Sequence, residues 1–136
     1  IRQIRNRVTV LDGAHNPQKM QALVDALRSM YATKRLHFVV SFKQEKDWAG
    51  MLAIMMPHAA SMTVTEFRPQ MRHTRLLCVP AQEVMKLIPK GIQAVAVPDV
   101  SRALFETVAR ADHKDIVVVT GSFYFMTEVY RTLKAD

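Results

Sequence analysis

The chain has 136 residues, 49% hydrophobic and 23% charged, with a formal net charge of +7 and one cysteine. That length suits a single core, since domains usually hold roughly 100 to 200 residues, and the ordinary apolar and charged balance excludes a disordered or low-complexity protein. No apolar run approaches the roughly 18 residues of a membrane span, no secretory leader pattern opens the chain, and the lone Cys78 cannot form an internal disulfide, so a reduced, cytoplasmic setting without membrane contact is expected.

The chain opens at IRQIRNRVTV without a Met, and we expect a single domain over residues 1–136, excised from a longer polypeptide. The run VTVL at 8–11 is the first predicted strand. In the LDGAHNP turn that follows, Asn16 is a cap and Pro17 the first helical residue. Met20, Leu23, Val24, Leu27, Met30 and Tyr31 then recur at helical steps. LHFVVSF at 36–42 is a second strand. Asp47 caps a helix marked by Trp48, Met51, Leu52, Met55 and Met56, which Pro57 stops.

SMTVTEF at 61–67 is a third strand, and Phe67 to Pro80, with three arginines, is expected to be a surface loop. A short helix over 81–88, a strand over 92–97, a helix behind Asp99 through Val100, Leu104, Val108 and Ala111, and a strand over 115–120 follow in turn. Met126, Val129, Tyr130 and Leu133 mark the last helix. Strands alternating with helices, several apolar on consecutive positions, predict an α/β fold: a Rossmann-like three-layer sandwich around a mostly parallel sheet of five or six strands.

In open parallel sheets ligands collect at the carboxyl ends of the strands, where helix N-termini present free N–H groups. Three such ends carry polar residues. In LDGAHNP, Gly13 allows a tight turn, Asp12 can accept hydrogen bonds from the vicinal hydroxyls of a ribose, and His15 offers a ring that stacks on or bonds to a base. The competing reading is that Asp12 and Asn16 only cap the next helix and His15 lies on the surface. In TGSFYF, Gly121 and Ser122 suit a carboxylate or phosphate, or make an ordinary turn. In SFKQEKDW, Lys43 and Lys46 either meet an anionic substrate or form a solvated face.

Absences narrow the field. There is no GxxxxGK[ST] loop to cradle a triphosphate and no GxGxxG fingerprint after the first strand. His37, His58, His73 and His113 lack metal-ligand spacing, and Cys78, among apolar neighbours in RLLCVP, reads as a packed thiol. The positive charge suits a nucleic acid, an anionic nucleotide or an acidic partner alike.

LDGAHNP near the start, the KD segment after the second strand and VVTGSFYFMTEVY at the end resemble, in order and spacing, the C-terminal domain of folylpolyglutamate synthase and bifunctional dihydrofolate synthase, within the Mur ligase superfamily. The likeness spans Val8 to Leu133. It implies the C-terminal half-site of an ATP-dependent amide ligase, in which a folate or dihydropteroate carboxylate is phosphorylated and the amine of L-glutamate attacks the acyl phosphate. It implies an N-terminal P-loop ATPase domain that holds Mg2+ and the phosphates, and a chain that is inactive alone and supplies no catalytic residue. Carried over, Asp12 holds the ATP ribose and His15 contacts the nucleotide, while Lys46, Asp47 and Ser122 lie along the face that meets L-glutamate. Two rivals stay open: a Mur-type peptidoglycan ligase domain, and a basic nucleic-acid-binding module, which the core-periodic placement of most aromatics disfavours.

Overall fold

A computed structural model describes residues 1–68 and 77–136. Its element order is β1 (Arg2–Ile4), β2 (Arg7–Asp12), α1 (Pro17–Met30), β3 (Leu36–Val40), α2 (Trp48–Met55), β4 (Ala59–Val64), α3 (Ala81–Met85), β5 (Ala94–Ala96), α4 (Val100–Arg110), β6 (Ile116–Thr120) and α5 (Phe123–Ala135), with a 3-10 turn at Met56–His58. The six strands form one sheet in the order β1-β2-β6-β3-β4-β5. Every neighbouring pair is parallel except β1 with β2. The α/β expectation holds, with the predicted five strands plus one.

The sheet is buried on both faces, so β3 and β6 read as unbroken apolar or β-branched runs and all their residues but His37 and Thr120 are hydrophobic. Phe38, Val40, Ile116 and Val118 face α1, α2 and α3 through Met20, Leu27, Met51, Leu52, Met55 and Val84. Val39, Val117 and Val119 face α4 and α5 through Leu104, Val108, Phe125 and Val129. Each fully buried Leu, Val or Met side chain on these faces contributes roughly 1.5–3 kcal/mol relative to exposure. The result is three layers, with helices split between the two faces according to which strand they follow.

Local chemistry sets the helix ends. Asn16 accepts from the Lys19 amide at 2.8 Å ahead of Pro17, and Asp99 accepts from the Arg102 amide at 3.0 Å. Met20, Leu23, Val24 and Leu27 of α1 are buried as the spacing predicts, whereas Met30 is exposed at the helix end. Pro57 falls inside the 3-10 turn that closes α2.

Three expectations shift. Strand β1 was not predicted, because Arg2, Gln3 and Ile4 carry a polar edge pattern; Arg5 and Asn6 turn it back with φ of 48° and 66°, and the Arg5 guanidinium lies 4.1 Å from the Phe105 ring centroid. The third predicted strand sits earlier, at 59–64. Beyond it the chain is held by the Thr65 amide on the Val40 carbonyl at 2.9 Å and the Phe67 amide on the Ser41 hydroxyl at 3.2 Å. Helix α3 is shorter than the predicted 81–88. Of the expected surface loop, residues 69–76 lie outside the described residues, as does His73; the Lys43–Cys78 bridge and the Val79 amide on the Phe42 carbonyl at 2.8 Å tie its far end to the chain after β3. Cys78 is half-buried, 3.1 Å from the Ser41 hydroxyl, and burial pushes its thiol up, which fits a packed, unreactive cysteine.

At the amino ends of β3, β4 and β6 a buried polar chain replaces apolar packing. His37 Nε2 lies 2.8 Å from Asp115 and its Nδ1 lies 2.7 Å from the Ser61 hydroxyl. Burial favours the neutral acid at Asp115, but hydrogen bonds from His37 and the Asp112 amide, with the charges of His37 and Arg35, outweigh it and hold the carboxyl below its ordinary 3.8. A depressed carboxyl contributes stability that is present above its unfolded pKa and disappears as pH falls through the folded one. Urea unfolding followed between about pH 5 and pH 2 should therefore show wild-type stability falling steeply below the ordinary carboxylate range, with a flatter acid limb in Asp115→Asn; parallel limbs would place the acid sensitivity elsewhere.

Candidate functional site at the carboxyl ends of β2, β3 and β6

Register brings three strand ends into line. Asp12 of β2 pairs with Thr120 of β6, and Thr120 pairs with Val40 of β3. The helix after β2 leaves toward one face of the sheet and the helix after β6 toward the other. Adjacent strands whose following helices diverge leave a crevice between their carboxyl ends. The turns carrying Asp12 to Pro17 and Gly121 to Tyr124 form its two walls.

On the first wall, one Asp12 oxygen accepts from the Ala14 amide at 2.8 Å, which fixes the carboxylate in the turn. His15 Nδ1 lies 3.2 Å from the Gly13 carbonyl. A carbonyl only accepts, so Nδ1 carries the proton and Nε2 of the neutral ring is an acceptor. Both side chains are half-buried. With Lys19, Ala22, Ala26 and Phe123 they line an open groove of about 530 Å³. The small alanines on α1 leave this groove wide.

On the second wall, the Ser122 hydroxyl caps α5 by accepting from the Tyr124 amide at 3.1 Å. The preceding Gly121 has φ 126°, and a Cβ there would lie 2.5 Å from the Ser41 carbonyl. That close approach of β6 to the end of β3 demands glycine. Gly13 does not: it lies outside the left-handed region, and a Cβ there would meet only ordinary contacts at 3.7 Å. The glycine that the turn needs is thus Gly121.

A second cavity of about 260 Å³ adjoins the first at His15 and Phe123 and is completed by Lys43, Lys46, Ser122 and Tyr124. Four of the five predicted site residues, Asp12, His15, Lys46 and Ser122, therefore converge on one crevice. Asp47 does not line it. Its carboxylate accepts from the Gly50 amide at 3.0 Å and caps α2, and a Cβ at Gly50 would displace that carboxylate, 2.5 Å away. Phe123 and Tyr124, 66% and 40% exposed, were not predicted as lining residues. Their signal was an aromatic pair at the first turn of a helix, where burial would be the ordinary expectation. Among the described residues no group of three or more His, Cys, Asp or Glu is arranged to hold a metal, and no helix is long and apolar enough to cross a membrane.

Residues 2–132 match the family model of the dihydrofolate synthetase C-terminal domain. The chain belongs to that family. The fold is similar to solved structures of longer synthases. FolC of E. coli in complex with DHPP and ADP matches at a TM-score of 0.84 and 21% identity, over 99% of this chain and 30% of that one. The bifunctional folylpolyglutamate synthase/dihydrofolate synthase of Yersinia pestis with AMPPNP and Mn ion matches at 0.82 and 25% identity, over 96% and 30%. Folylpolyglutamate synthase of Mycobacterium tuberculosis complexed with ADP matches at 0.75 and 21%, over 94% and 30%. The chain spans about three tenths of the length of those proteins. A search of curated proteins finds no match.

The two glycines separate a geometric requirement from a composition signal. Chemical denaturation should find Gly121→Ala destabilised by about 2 kcal/mol or more, and Gly13→Ala within about 1 kcal/mol of wild type. The reverse ranking would contradict the assigned turn geometry.

Proposed function

We propose that this chain is the single C-terminal domain of an ATP-dependent ligase that joins L-glutamate to a folate or dihydropteroate through an acyl phosphate, and that the β2/β6 crevice is its half of the active site. The observation that carries this is the convergence of Asp12, His15, Lys46 and Ser122 on one groove at the point where the helices after β2 and β6 diverge. Membership of the dihydrofolate synthetase family supports a pterin acceptor over a peptidoglycan precursor. An N-terminal P-loop domain on the same polypeptide completes the site, in keeping with the greater length of the similar ligases.

The residues fit a nucleoside. Asp12 uses one carboxylate oxygen in the turn and keeps the other for paired hydroxyls of a ribose. His15, with Nδ1 committed to a backbone carbonyl, presents Nε2 and a ring face to the groove. Phe123 offers an exposed aromatic surface to a base or sugar. ATP supplies the phosphoryl group that activates the acceptor carboxylate. The divalent ion belongs with the phosphates on the P-loop domain.

Lys46 and Ser122 serve the other half of the crevice. The lysine charge and the amino end of α5 attract a carboxylate, and the Ser122 hydroxyl, 2% exposed and held by the Tyr124 amide, fixes its position. Holding nucleotide and amino acid on adjoining cavities orients the reactants, and closure against the P-loop domain keeps water from an activated acyl group. Because the phosphate- and metal-binding groups lie on the other domain, the chain by itself should not catalyse glutamate addition.

In the full-length polypeptide, Asp12→Ala and His15→Ala should each weaken use of ATP by about tenfold, the loss of one good hydrogen bond to a charged or oriented partner, with the thermal midpoint lowered in Asp12→Ala alone, through the lost bond from the Ala14 amide. Steady-state kinetics with varied ATP test this. Variants with wild-type ATP dependence would remove these two residues from the nucleotide site.

A further inference from the structure

We propose that Lys43 is the specificity-determining residue of the amino-acid cavity, and that its ammonium binds the side-chain carboxylate of a dicarboxylic amino acid. The inference rests on the functional reading above and adds the feature that distinguishes the substrate from its neutral analogues.

Lys43 lies just beyond the end of β3, its backbone fixed by the bridge to Cys78 and by the Lys46 amide on its carbonyl at 3.1 Å. Its side chain is only 13% exposed. The ammonium sits 5.1 Å from the Tyr124 ring centroid, so the aromatic face both orients it and partly replaces its hydration. A buried ammonium is costly unless it is paired. The carboxylate that meets it is Glu45 at 3.3 Å, whose side chain is 61% exposed, and an ion pair with so solvated a partner contributes little. A ligand carboxylate inside the cavity is a stronger partner.

The lining of that cavity sets the class of ligand. Among the described residues it is lined by two lysines, a histidine, a serine hydroxyl and two aromatic rings, and no carboxylate. One carboxylate satisfies Lys46 and Ser122 at the amino end of α5. A second is needed for Lys43, on the Tyr124 side. The cavity volume of about 260 Å³ lies at the small end of ligand sites, roughly 300 Å³ and upward, and suits a ligand the size of glutamate. A monocarboxylic amino acid such as glutamine would leave the Lys43 ammonium facing a neutral amide.

The experiment compares kcat/KM for L-glutamate and L-glutamine in the full-length polypeptide, as wild type, Lys43→Met and Lys43→Arg. Wild type should prefer glutamate. Lys43→Met should lose about tenfold of that preference, through KM for glutamate and not KM for ATP, while Lys43→Arg, which keeps the charge and the stacking, retains most of it. An unchanged preference, an equal loss for both amino acids, or a rise in KM for ATP alone would overturn the role of Lys43 while leaving the ligase reading intact. Absence of any amino-acid ligation in the wild type would overturn both.

Discussion

The arrangement depends on one topological constraint, the insertion of β6 between β2 and β3. With β6 at the centre, in-register pairing sets Asp12, Thr120 and Val40 side by side, and the turns that follow them share one end of the sheet. Because α1 packs on one face and α5 on the other, the turns part there and leave a crevice rather than a packed end. The tightest point is Gly121, whose missing side chain lets the α5 turn pass against the Ser41 carbonyl. A side chain at that position would force the turn carrying Ser122, Phe123 and Tyr124 off the Ser41 carbonyl.

Polarity is distributed along the sheet accordingly. The carboxyl end gathers lysines, an imidazole and helix amino ends around open cavities. At the amino end the polar groups face one another: His37 is spent on Ser61 and Asp115, and Asp115 also accepts from the Asp112 amide. A residue triad of serine, histidine and aspartate there invites a catalytic reading, but Ser61 is 6% exposed within a strand bonded on both sides. Its neighbouring amides are engaged in the sheet and offer no oxyanion site. That network pins β3, β4 and the turn before β6, and so steadies the strands that carry the site.

Much of this was legible in the sequence. Consecutive apolar residues marked β2, β3 and β6 as strands covered on both faces, and capping residues with three- and four-residue spacing marked α1, α2 and α4. The LDGAHNP and TGSFYF turns pointed to the residues that converge. Other parts depend on contacts that no local pattern encodes. Strand β1 is held by pairing, by the burial of the single Ile4 and by the Arg5–Phe105 contact rather than by an apolar run. Thr65 to Phe67 look like strand residues, yet they follow the sheet through scattered bonds to Val40, Ser41 and Pro98 rather than a continuous ladder. Gly13 and Gly121 are indistinguishable as letters and differ in which one meets a backbone atom at close range. Asp47 and Lys46 are adjacent, yet Lys46 lines the cavity while Asp47 turns back to cap its helix. The places of Lys43, Phe123 and Tyr124 follow only once β3, β6 and β2 are known to be neighbours.

The claim that the β2/β6 crevice takes the nucleotide is tested most directly by mapping ADP binding onto backbone amides, by hydrogen exchange or heteronuclear NMR. Protection or shifts confined to residues 12–16 and 121–124, with the amide network around Asp112 and Asp115 unmoved, is the predicted result. Perturbation centred on the amino ends of the strands, or on neither wall of the crevice, would contradict the account.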